Sequence, residues 1–109
     1  MEFHRFLLSN GIRVIIIPTV PYAPAVVQVW VLGGSRTESN EYAGRVHFNE
    51  HMFYRGGRDF EDEKSVEREL RLLGGKHNAF TGPESVFYFI MTSPRHLRRA
   101  MHLLSDMLI

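Results

Sequence analysis

Two histidines, His47 and His51, lie four residues apart, with Glu50 directly before the second. At about 100° per residue, a helix brings positions four apart back to nearly the same face. On a helix the two imidazoles project side by side, one turn apart, able to grip a single ion. Glu50, three residues after His47, borders that face and can reach whatever the ion holds. The pattern H-x-x-E-H is the inverted form of the zinc-peptidase signature, in which two histidines ligate zinc and the glutamate is a general base. A catalytic zinc takes neutral imidazole nitrogens and typically three protein ligands in all. It makes water acidic near neutral pH, and Glu50 would take that proton and pass it to the leaving amine. The metal ligands are then His47 and His51, and Glu50 is catalytic. The bland alternative is a pair of surface histidines with a carboxylate neighbour.

A helix must present these residues, and the flanking sequence supplies one. Ser39 or Asn40 is the expected N-cap, Glu41 suits the positive first turn, and the helix should end near Tyr54, ahead of Gly56-Gly57. On the helical wheel Asn49 falls roughly opposite His47, on the side expected to pack inward. A buried amide without partners would cost about 1–3 kcal/mol there.

Upstream, Asn10-Gly11 signals a turn before the β-branched stretch 13–17, a strand closed by Pro18. Pro18, Pro21 and Pro24 make the next segment a loop. Residues 25–32 are apolar almost throughout, as suits a central strand covered on both faces, and Gly33-Gly34 breaks it. Downstream, Glu61, Asp62 and Glu63 open a second helix with Val66, Leu70 and Leu73 at helical spacing, stopped by Gly74-Gly75. Residues 77–81 read as a short strand, Gly82-Pro83 as a turn and 85–92 as a buried strand. Ser93-Pro94 starts a last helix with the stripe Leu97, Ala100, Met101, Leu104 and Leu108. The order β-β-α-α-β-β-α predicts an α+β fold, a mostly antiparallel sheet with helices packed on one face.

Composition bounds the rest. A chain of 109 residues is about one domain. A net charge of +1 gives no basic excess for nucleic acid or an anionic membrane. With no cysteine, only histidines and carboxylates are strong metal ligands. No secretory signal opens the chain, and its apolar runs are too short to span a bilayer, so a cytoplasmic location is expected. The apolar ending Asp106-Met107-Leu108-Ile109 has no C-cap, so residues 1–109 are expected to be the N-terminal part of a domain that continues. Arg55-Gly56-Gly57-Arg58 is one RGG-like unit, better read as a loop, and Gly33-Gly34-Ser35 lacks the lysine of a phosphate loop.

Beyond the metal motif, the sequence resembles the pitrilysin/insulinase family of zinc metallopeptidases, which includes mitochondrial processing peptidases. Gly34-Ser35-Arg36-Thr37-Glu38 is similar to the family's G-S-R-x-E segment, and Gly44 with His47-Phe48 and Glu50-His51-Met52 resembles its G-x-x-H-F-L-E-H-M core. Gly74-Gly75, Asn78-Ala79-Phe80-Thr81, Glu84 and Tyr88 resemble its G-G-x-x-N-A-x-T-x-x-E-x-x-x-Y run. Asn49 departs from the family's leucine.

The resemblance implies a partial pitrilysin-type domain and a zinc-dependent endopeptidase acting on extended peptides, with Glu50 activating the zinc-bound water. It places Asn78 and Ala79 on a substrate-binding edge strand, gives Arg36 and Glu38 a structural part near the helix start, and leaves Glu84 and Tyr88 as possible supports of the site. The family's third ligand is a glutamate farther beyond the second histidine than this sequence extends. The chain alone should therefore be weakly active or inactive, with the rest of the peptidase chain or a second subunit as partner, or a second copy of itself. A eukaryotic source would make the location mitochondrial. The alternative is a non-catalytic subunit or scaffold of the same fold that binds a partner protein.

Overall fold

The computed structural model describes residues 1–108; Ile109, the last residue of the apolar ending, lies outside them. The Asn10-Gly11 turn forms as expected: Gly11 takes φ 87°, and Asn10 Oδ1 accepts the Ile12 N–H at 3.1 Å. It joins β1 (His4–Leu7) to β2 (Arg13–Ile16) in an antiparallel two-stranded sheet of its own. The expected order of elements left β1 out, since His4-Arg5-Phe6-Leu7 has neither alternation nor β-branched residues to announce it, although Asn10-Gly11 before a β-branched strand resembles the opening hairpin of the pitrilysin/insulinase family.

The main sheet has three strands in the order β3 (Ala25–Leu32), β5 (Ser85–Thr92), β4 (Lys76–Thr81), and both pairings are antiparallel. The central strand is therefore β5, and β3 is an edge strand rather than the doubly covered one its apolar run suggested. The two faces of β3 serve different ends. Val27 and Val29 pack on the core, whereas Trp30 is 60% exposed and stacks on Phe87 at 4.7 Å. An apolar residue on either face looks the same in sequence.

Strand β5 alternates strictly, burying Val86, Tyr88, Ile90 and Thr92. The helices lie on that face, as expected of one-sided α+β packing. Helix α2 (Glu63–Leu73) buries Val66, Leu70 and Leu73; it starts on an Asp62–Ser65 capping box and ends on Gly74 at φ 68°. Helix α3 (Leu97–Leu108) follows a 3-10 turn with Pro94 at its start and buries Ala100, Leu103, Leu104 and Asp106. Its inward arc is turned towards Leu103 and Asp106, leaving the expected Met101 exposed. The rotation follows from what Asp106 holds, described below.

Candidate metal centre

The motif helix, α1, spans Arg45–Met52, starting later than Ser39 or Asn40 would cap it. Residues 40–42 form a separate 3-10 turn. Its N-cap is Gly44 at φ 88°, a left-handed conformation that glycine adopts without the steric cost a Cβ brings. No N-cap side chain bonds the first turn. The carboxylate of Glu38 does so instead, accepting the Gly44 N–H at 2.8 Å and the Val46 N–H. A negative group at the positive end of a helix is favourable there.

Glu38 is itself held in place. The Ser35–Thr37 turn before it docks on the β4–β5 hairpin, with Ser35 N–H donating to Gly82 O at 3.1 Å and Arg36 N–H to Pro83 O at 2.8 Å. A side chain at Gly34 would run into the Gly82–Glu84 backbone, so that contact requires glycine. Arg36 and Glu84 form an exposed ion pair at 2.6 Å. Arg36 and Glu38 are thus structural, as expected, and Glu84 is engaged away from the histidines.

The two histidines meet as helical spacing demands. His47 Nε2 and His51 Nε2 are 2.9 Å apart, with ring centroids at 4.5 Å, and both rings are exposed. Nitrogens about 2.0–2.1 Å from one tetrahedral ion stand roughly 3.3 Å apart, so a few tenths of an ångström of adjustment would make this pair a two-nitrogen seat. Neutral imidazole donors also suit zinc. Among the described residues, no third histidine or carboxylate joins them. The fit is to two ligands of a metal site.

Glu50 is half-buried and turns towards β4, where its Oε2 accepts the hydroxyl of Thr81. The carboxylate is felt by two phenols. Burial, then the Glu50 charge, pushes Tyr54 up to about 12. The same two causes raise Tyr88, whose ring stacks on Phe53 at 3.9 Å. Of the two expected supports, Tyr88 is therefore the one beside the site.

The far end of α1 is tied to α3. After the 3-10 turn Phe53–Arg55, the backbone N–H groups of Arg58, Asp59 and Phe60 donate to the Asp106 carboxylate at 3.1, 2.9 and 3.0 Å. These bonds, that of Phe60 foremost, hold the Asp106 carboxyl below its ordinary range. Gly57 packs too closely on Asp106 for a side chain to fit. Helix α1 itself buries no residue. Asn49 is exposed, contrary to the inward position expected of it, and pays no desolvation cost.

His47, Glu50, Ala79 and Thr81 line an open cleft of about 460 Å³, together with Ser35 and Glu38. Strand β4 borders it with an edge that is free among the described residues, because β5 pairs with only one side of β4. Ala79 is on the cleft, whereas Asn78 is exposed, and its backbone pairs with Phe89 of β5. The meeting of His47 and His51 was legible in sequence. The structural part of Glu38 near the helix start was legible through the family resemblance; the roles of Thr81 and Asp106 were not.

Comparison with known proteins adds a family. The family described as Insulinase (Peptidase family M16) matches residues 13–109. The chain is 36% identical over 101 residues to a probable mitochondrial-processing peptidase subunit beta of Arabidopsis thaliana, covering 93% of this chain and 19% of that protein. It is 31% identical over 103 residues to the uncharacterized zinc protease YmxG of Bacillus subtilis (strain 168), covering 94% of this chain and 25% of that one. The crystal structure of pitrilysin superposes with a TM-score of 0.88 at 25% identity, covering 97% of this chain and 11% of that chain. The chain thus spans about a fifth to a quarter of the length of these two curated relatives.

Proposed function

The chain belongs to the insulinase family (Peptidase family M16), and from that premise we propose that it carries the metal helix and the substrate edge of a zinc endopeptidase acting on extended peptides. The observation that carries this reading is the meeting of His47 Nε2 and His51 Nε2, with His47 and Glu50 both lining a cleft bordered by a strand edge unpaired among the described residues. His47 and His51 would hold zinc. When bound, zinc supplies a Lewis acid that polarises a peptide carbonyl and acidifies water. The third ligand would come from beyond these 109 residues or from a second subunit, and residues 1–109 would be the N-terminal part of the metallopeptidase domain.

This chain's own residues supply the rest. Thr81 fixes one oxygen of the Glu50 carboxylate, Oε2, which orients the other, Oε1, as the one to receive a proton from water. Glu50 then returns that proton to the amine nitrogen as the peptide bond breaks. The edge of β4 aligns the peptide by adding it as a strand, which fixes the backbone and leaves side chains outside the ladder. A family relative named as a subunit beta favours a second subunit as partner.

In the whole polypeptide with its metal site complete, Glu50→Gln is expected to lower peptide turnover by about 10²- to 10⁴-fold, the range for a lost general base. Zinc content after dialysis should stay unchanged, because Glu50 is not a ligand. Retained turnover would refute its assignment as base, and lost zinc would make it a ligand.

A further inference from the structure

The proposed docking edge has a definite pattern of free backbone groups. The bond from the Gly82 N–H to the Ser85 carbonyl, 2.8 Å, fixes the phase of the β4–β5 ladder. In an antiparallel pair, residues that exchange both backbone bonds alternate with residues whose N–H and C=O point away. Counting back from Gly82 along the register Thr81↔Val86, Phe80↔Phe87, Ala79↔Tyr88 and Asn78↔Phe89, Phe80 and Asn78 bond to β5. Thr81 and Ala79 direct their N–H and C=O to the open edge. The backbone of Ala79, not that of Asn78, is therefore offered to a docking strand.

That offer is already taken. The Ala79 N–H donates to Oδ1 of Asn78 at 2.8 Å. This carbonyl-like oxygen occupies the place that a carbonyl of an added strand would fill. A free strand edge is a template for unwanted pairing, and proteins blunt such edges locally. An asparagine does so with a neutral acceptor on a short arm, so its release strands no charge. We infer that the Asn78 carboxamide is a displaceable cap: it satisfies the Ala79 N–H in the free protein and yields it to a carbonyl of an incoming extended chain. The inference rests on the reading of β4 as the peptide edge. It divides the roles of an adjacent pair, with Ala79 as the pairing residue and Asn78 as its guard.

Amide hydrogen exchange on the whole chain, read by NMR with a metal chelator present to prevent cleavage, tests both parts. In the free protein, Asn78→Ala should speed exchange at the Ala79 N–H roughly three- to tenfold, the worth of one hydrogen bond. Asn78→Asp, which keeps the acceptor oxygen, should leave it slow. The Phe80 N–H, bonded to β5, should not change in either variant, which controls for folding. A blocked ten-residue peptide of alternating threonine and lysine should then restore slow exchange at Ala79 in Asn78→Ala. In the unsubstituted chain it should shift the Asn78 side-chain amide signals. Equal exchange at Ala79 with and without the carboxamide would overturn the cap. A cap that the peptide neither replaces nor disturbs would overturn the docking reading of the edge, and displacement with it.

Discussion

Helices α1 and α3 sit on the same side of the sheet and are held there in opposite ways. Helix α3 buries four of its residues, and Leu103 has no accessible surface at all. Helix α1 buries none, has no side chain at its N-cap, and leaves Phe48 62% exposed. Within α1 only the partly buried Val46 packs on the core, with Phe53 buried directly after it; the other ties are polar and come from elsewhere: Glu38 at its start, Thr81 on Glu50, and Asp106 beneath the loop that follows it. A helix fixed by packing must give its inward positions to apolar residues. A helix fixed by tethers can give its faces to histidines and a carboxylate, and chemistry needs that freedom. The cost is that the position of α1 depends on a few single contacts.

Truncation separates the two modes most strongly. Leu103→Ala should destabilise the fold by about 2–5 kcal/mol, as buried leucines do when a cavity replaces them. Phe48→Ala, on α1, should stay within about 0.5 kcal/mol. Urea denaturation of both variants checks the pair. A cost at Phe48 approaching that at Leu103 would show that the exposed face of α1 is packed as well.

The Asp106 tether should show itself through pH. Its carboxyl is held below the ordinary range in the folded protein by the N–H groups of Phe60, Asp59 and Arg58. The stability it contributes is therefore complete above the unfolded value, about 3.9. That contribution is lost as pH falls through the lower folded value. His102, 3.1 Å from Asp59, faces the same loop. Asp106→Asn should destabilise the protein at pH 7 and flatten the stability profile below pH 4, approached from neutral. A profile that stays as steep in the variant would place the acid sensitivity on other carboxylates.

The same contrast explains what could be read from residues alone. The limits of α2 were legible because their signals are local: acidic residues at the start, apolar positions at helical spacing, and Gly74 in a left-handed turn. The His47–His51 contact was legible because helical periodicity alone brings those two rings together. Thr81 reaches Glu50 across 31 positions, and Asp106 reaches Asp59 across 47. No local pattern announces a partner at that separation. Asn49 misled for a related reason, since a wheel gives the angle between side chains but not which side of the helix the fold covers. The apolar run of β3 shows that it shuns water and leaves open which neighbour covers each face.

Glu38 gives the finest test of the tethered helix. Eight residues are too few for a helix to persist unaided, since nucleation is unfavourable and short helices are marginal in water. Glu38→Ala removes the acceptor from the Gly44 and Val46 N–H groups, and losing a cap costs about 0.5–2 kcal/mol. The loss should appear locally, as faster amide exchange from Phe48 to Met52, while α2 and α3 keep their protection. Glu38→Gln retains an acceptor oxygen but not the charge and should fall between the two. His47 and His51 face one point only while the turn between them is helical, so zinc affinity should fall in the same order. Unchanged exchange in α1 would mean that Thr81 and Asp106 suffice to hold it, and the dependence on single contacts would shift to its C-terminal end.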